Sequence, residues 1–221
     1  MNSARNTPMP WWGFLAWVLM LVFGLIVYPH LPSQVATHFG ASGAVNGTMP
    51  RLQAVLVAPA LGLALIGLWY VLFRIDPRRS RYEGFWSTYR LLGGLVIVFL
   101  AAVQVIVLGH ALTGSLPVPR LTASIVGLLI LLISNSLPRL QPNWWLGVRT
   151  PWTLSSEETW RKTHLFAGRS GVAVGIVLLA ASWIGPLQAV PRLLIGIVAA
   201  WAVAVSCVSY WYYIKAVDRK A

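Results

Sequence analysis

The chain has almost no acid. Aspartate and glutamate number 5 in 221 residues, and charged residues of both signs make up 10%, against roughly 25% in an ordinary globular chain. Hydrophobic residues fill 57%. That balance excludes a soluble enzyme or a soluble binding module. The lone cysteine, Cys207, excludes an intramolecular disulfide and leaves the redox compartment open. The HExxH and GxSxG patterns are missing, so the commonest metalloprotease and serine-hydrolase chemistries have no carrier. No internal repeat and no low-complexity tract is present.

What the chain does have is long apolar runs. Six are found, over residues 11–28, 52–73, 91–111, 121–137, 170–184 and 193–213. A membrane helix needs about 20 such residues, so six of them leave room for loops and none for a separate soluble domain. The expected fold is all-α, a polytopic membrane protein with six transmembrane helices. The first run is too long for a secretory signal and is expected to be retained. Pro59 inside the second run frees a carbonyl for a neighbouring helix to cover. Gln104, Ser134, Asn135 and Ser206 are the polar groups of the spans, and interhelical hydrogen bonding is their ordinary use.

The net charge of +12 invites a nucleic-acid reading, but charge placement answers it differently. With both termini cytoplasmic, 14 of the 17 basic residues fall inside, and Arg51, Arg120 and Arg192 remain outside. Positive residues concentrate in cytoplasmic loops and fix orientation, so direct binding of nucleic acid is not expected. All five acids, Asp76, Glu83, Glu157, Glu158 and Asp218, also fall inside. Proton relays and most ion-coupled transporters place carboxylates at membrane depth; the six runs contain none.

Two loops are richer than connectors need to be. The outer loop, residues 29–51, contains Pro32, Thr37, His38, Phe39 and Gly43, and its Asn46-Gly47 pair reads as a turn. His30, His38 and His110 are weak candidates for a zinc site; separate interfacial hydrogen bonds are the simpler expectation, and no metal or cofactor is expected. The inner loop, residues 138–169, carries seven charges. Burying them would cost on the order of 20 kcal/mol at roughly 3 kcal/mol each, so the segment belongs in the interface or the cytosol. It holds four tryptophans in 17 residues, Trp144, Trp145, Trp152 and Trp160. Ser155 and Glu158 have capping-box spacing. Glu157 to Arg161 and Glu158 to Lys162 are i,i+4 pairs. Gly168, Gly171 and Gly175 invite a close helix. Arg149 suits either an anion or a stacked indole, and His164 with Glu157 or Glu158 would be the acid/base set of an intramembrane hydrolase, the alternative to a binding role. A small-molecule transporter or channel is the third reading.

The run Asn143, Gly147-Val148-Arg149-Thr150-Pro151-Trp152-Thr153-Leu154, then Glu158, Trp160, Thr163-His164 and Gly168, resembles the signature of the SdpI family of bacterial multi-pass membrane proteins. Leu31-Pro32 through Thr37-His38-Phe39 to Gly43 is similar to the loop of that family's amino-terminal DUF1648-type region. The resemblance divides the chain into residues 1–112, with spans one to three, and 113–221, with spans four to six, in one integral membrane unit. It implies a non-enzymatic immunity or signalling protein of the bacterial cytoplasmic membrane. The implied partners are the lipid bilayer, an extracellular toxin peptide and a cytosolic repressor or other protein; a second copy of the chain is a further candidate. The sequence departs from the family at Ala36, where proline is usual, and at Ala44-Val45-Asn46, where an acidic pair around proline is common. That loss argues against an outer site for cations.

Overall fold

The computed structural model describes residues 7–40 and 44–218. Helix α1, Trp11–Val27, leads through a 3-10 turn into an antiparallel hairpin of β1, Gln34–Phe39, and β2, Val45–Pro50. Helix α2, Arg51–Ile75, follows β2 directly. After a 3-10 stretch, Arg79–Phe85, come α3, Trp86–Thr113, and α4, Val118–Ser136. A short α5, Pro151–Ser155, precedes α6, Glu157–Ile184, and α7, Val190–Asp218, closes the chain. Six of the helices are long and apolar enough to cross a membrane. The protein is a multi-pass, all-α membrane protein with one small hairpin added.

The hairpin departs from the expected loop. Asn46 and Gly47 do not turn; they lie inside β2, with Gly47 opposite His38 and Val45 opposite Phe39. The chain reverses between Gly40 and Ala44, joined by Gly40 N–H donating to the Ala44 carbonyl at 2.8 Å. Gly47 is needed for a different reason, because a Cβ there would press on His38. Val35, fully buried with Val27, Leu31, Val55 and Leu108, pins the hairpin onto the outer ends of the helices. Burying such a side chain is worth about 1.5–3 kcal/mol.

Helix contacts use the small and polar residues the sequence offers. The glycines of α6 admit α4: a Cβ on Gly168 would strike Pro138, one on Gly171 would strike Ser134, and one on Gly175 would strike the Gly127 carbonyl. Gly127 faces Gly175 in return. Helix α1 covers α2 at its proline, where the Trp17 indole N–H donates to the Pro59 carbonyl at 2.8 Å. Gln104 of α3 donates to the Met20 carbonyl of α1 at 3.1 Å, but Ser206 bonds only within its own helix, to Ala202. At the inner end Trp69 and Tyr89 stack and exchange bonds, Trp69 Nε1 to the Tyr89 carbonyl at 3.2 Å and Tyr89 O–H to the Trp69 carbonyl at 2.6 Å. Around them Tyr82, Phe85, Leu137, Leu140 and Trp160 complete an inner aromatic core.

Candidate functional site: the inner motif

Residues 143–164 form one folded unit across the inner ends of α4, α6 and α7. It is built by its own polar side chains. Asn143, with no exposed surface, accepts from the amides of Trp145 at 2.9 Å and Leu146 at 2.7 Å, and donates to the carbonyls of Gln141 and Leu146. All the capacity of that amide is committed to one turn. Gly147 follows with φ +98°, a backbone angle L residues rarely adopt. A Cβ there would also run into the His164 ring.

His164 is the centre of the motif and is 1% exposed. Nε2 accepts the Val148 amide at 3.0 Å and Nδ1 lies 2.8 Å from the Trp160 carbonyl. These partners assign a neutral ring with its proton on Nδ1. The Trp160 ring stacks on it, centroids 4.0 Å apart, and its indole N–H donates to the Leu140 carbonyl at 2.8 Å. With both nitrogens bonded to backbone, His164 has none left for a carboxylate, so the acid/base set with Glu157 or Glu158 does not assemble.

The reciprocal cap lies five residues earlier than its expected position. Thr150 caps α5: its hydroxyl accepts from Thr153 N–H, and the Thr153 hydroxyl accepts from Thr150 N–H at 2.9 Å. Pro151 at the first helical position needs no such partner. Thr153 also donates its hydroxyl toward the Val148 carbonyl, 2.8 Å away. Ser155 therefore ends one helix instead of starting the next, and its hydroxyl donates to the Trp152 carbonyl. Ser156 is the cap of α6, accepting from Thr159 N–H at 3.2 Å. The Glu158 to Lys162 pair forms at 2.5 Å, while Glu157 takes Arg81 of the α2–α3 connector in place of Arg161. Thr163 is buried, and its hydroxyl has no partner among the described residues.

Arg149 does not stack on an indole. It is exposed, and its Nη1 donates to the Trp144 carbonyl at 2.7 Å; no cation–π contact among the described residues involves it. Trp144 itself is 46% exposed. The motif thus leaves the Trp144 side chain and Arg149 exposed, joined through the Trp144 carbonyl, while Asn143, Thr150, Thr153 and His164 bond into its backbone.

Two residues of the unit escaped sequence reasoning. Ser209 of α7, fully buried, receives the Trp152 indole N–H and lies 3.3 Å from the Thr150 hydroxyl. One serine among the many of an apolar helix gives no signal. Asp76, at the end of α2, is 2% exposed. Its carboxylate accepts from the Arg78 amide at 2.7 Å, the Tyr82 hydroxyl at 2.8 Å and the Trp144 amide at 3.0 Å. Arg74, Arg78, Arg79 and Arg81 stand near it in sequence, yet its donors are all neutral.

The outer residues do not converge in the same way. Pro32 precedes β1. Thr37 sits where the pairing register shifts, and Phe39 meets His110 edge-on with centroids 5.4 Å apart. His110 Nδ1 lies 3.1 Å from the Leu116 carbonyl, and His30 and His38 are exposed. No group of three His, Cys, Asp or Glu able to hold a metal lies among the described residues, so the three imidazoles stay separate. Gly43 lies outside the described residues.

Comparison with known proteins follows this layout. Residues 139–209, which run from the inner motif through α6 and into α7, match the model of the SdpI/YfhL protein family. Residues 15–63, from α1 through the hairpin into α2, match a domain of unknown function, DUF1648. Immunity protein SdpI of Bacillus subtilis (strain 168) is 22% identical over 197 residues, covering 89% of this chain and 92% of that protein. No solved structure matches. The inner motif thus lies in the segment that matches the SdpI/YfhL family model, residues 139–209, and the hairpin in the segment that matches DUF1648, residues 15–63.

Proposed function

We propose that the chain is a non-enzymatic immunity or sensor protein of a bacterial cytoplasmic membrane. The outer hairpin engages a toxin peptide or another envelope ligand, and the inner motif relays that event to a cytosolic repressor or other protein. Residues 1–112 and 113–221 are the two regions of this one membrane unit. A single observation carries the reading: Asn143, Thr150, Thr153 and His164 spend their polar groups on the shape of the motif, while Trp144 and Arg149 stay outside. Such an arrangement serves recognition, in which Trp and Arg are over-represented, and keeps His164 from pairing with Glu157 or Glu158. The similarity to an immunity protein of Bacillus subtilis supports the immunity half. The three outer cations and the lack of outer acids favour a ligand without strong positive charge.

The test is expression in a strain sensitive to a secreted toxin peptide. Protection is expected, and Arg149→Ala should abolish it at an unchanged membrane level. A chain that never protects, or protects equally with Arg149→Ala, refutes the proposal.

A further inference from the structure

Helix α2 starts at Arg51, immediately after the last residue of β2, and ends at Ile75. The hairpin and Asp76 are therefore the two ends of one rod of 25 residues, about 37 Å at about 1.5 Å per residue. Its outer end is held by Val35 packed on Val55 and Leu108. Its inner end is held by Asp76 on the Trp144 amide, 68 residues away in sequence. The connector after α2 adds Arg78 Nη2 on the Leu154 carbonyl at 3.1 Å and Arg81 on Glu157 at 2.5 Å. Gln141 lies against Gly84. Helices α1, α2 and α3 pack on one another, α4, α6 and α7 do likewise, and α3 against α4 is the main junction between them in the membrane. The inner ties are a second junction, and they end on the motif.

Asp76 stands apart from the other ties. A carboxylate at a helix C-terminus opposes the helix dipole, and this one is also buried, so it depends on its three donors. One of them is the Trp144 N–H, while the carbonyl of that same residue receives Arg149. The exposed Trp144–Arg149 pair is thus positioned through Asp76. We propose that Asp76 is the latch by which displacement of the outer hairpin, carried along α2, releases the Trp144–Arg149 surface of the inner motif. The inference gives the sensor reading its moving part and rests on that reading for its purpose.

Hydrogen exchange of the full-length protein in detergent micelles, followed by mass spectrometry over residues 143–154, tests it. Asp76→Ala should speed exchange there about tenfold, the loss of one bond worth about 1.4 kcal/mol. Asp76→Asn should fall between wild type and Asp76→Ala, because its amide oxygen still accepts from Tyr82 and Trp144 while its NH2 group faces the Arg78 N–H, a second donor. Val35→Ala, at the far end of the rod, should speed exchange over 143–154 in the native background and add nothing in the Asp76→Ala background. Equal increments in both backgrounds, no effect of Val35→Ala, or an Asp76→Asn variant as fast as Asp76→Ala would each overturn the latch. If the alanine variant fails to accumulate, Asp76→Ser takes its place in the cycle. Toxin protection is not read in this assay, so loss of coupling removes the latch and leaves the sensor reading to the Arg149→Ala test.

Discussion

Gly147→Ala is the sharpest probe of the inner motif. At φ +98° an L side chain costs roughly 1–2 kcal/mol in backbone strain. The new methyl group would meet the His164 ring, and moving that ring breaks the 3.0 Å bond from Val148 N–H. A buried amide left without an acceptor costs about 1–3 kcal/mol. The two terms together give roughly 2–5 kcal/mol, and at about 1.4 kcal/mol per decade this raises local opening by about 30-fold to about 4,000-fold. Amide exchange over residues 143–154 measures it directly, and the change should stay within the motif. Gly196→Ala is the matched control, since a Cβ there meets nothing within 4 Å and alanine favours a helix. If Gly147→Ala and Gly196→Ala exchange alike over residues 143–154, the argument from positive φ and the His164 contact is refuted.

Three further outcomes follow from the packing. Trp160→Phe keeps the stack on His164 but deletes the N–H that satisfies the Leu140 carbonyl, and should lower stability by about 1–3 kcal/mol, read as a melting shift in detergent. Ser209→Ala removes the shared anchor of Trp152 and Thr150, so acrylamide quenching of a variant with Trp152 as its sole reporter should increase. Gly175→Leu places a side chain against the Gly127 carbonyl and Leu131, and overpacking of that kind costs typically about 1–3 kcal/mol, visible as a lower melting temperature; an unchanged melt would contradict the α4–α6 contact.

The helical plan was legible because length and hydropathy alone decide what can cross a bilayer. The spans 11–28 and 52–73 coincide with α1 and α2 to within a few residues, and the glycines of α6 announced a close neighbour that proved to be α4. The hairpin was not legible. Its strands are six residues each and half-exposed, and β2 carries Gly47 inside it and ends at Pro50, so period-two alternation is too short to register. The Asn46-Gly47 pair then marked a turn where tertiary pairing with His38 made a strand.

In the inner motif, residue types were readable and partners were not. Gly147, Trp160 and His164 do meet, and the Glu158 to Lys162 pair forms because it is local to one helix. Glu157 chose Arg81, 76 positions away, over the equally spaced Arg161. No periodicity encodes that choice. The cap moved from Ser155 to Ser156 because the Pro151 helix, closed by Thr150 and Thr153, had already claimed Ser155. Asp76 stayed hidden for the same reason as Ser209: both act on residues more than 50 positions distant.

The glycine-to-glycine meeting of α4 and α6 carries a mechanical consequence. At Gly127 and Gly175 main chain rests against main chain, with no rotamer between them to relax. Such close approach makes α4 and α6 the most tightly joined pair of helices and the natural frame of the molecule. Under the proposed latch, the hairpin-bearing helices α1 and α2 are the party that moves against that frame.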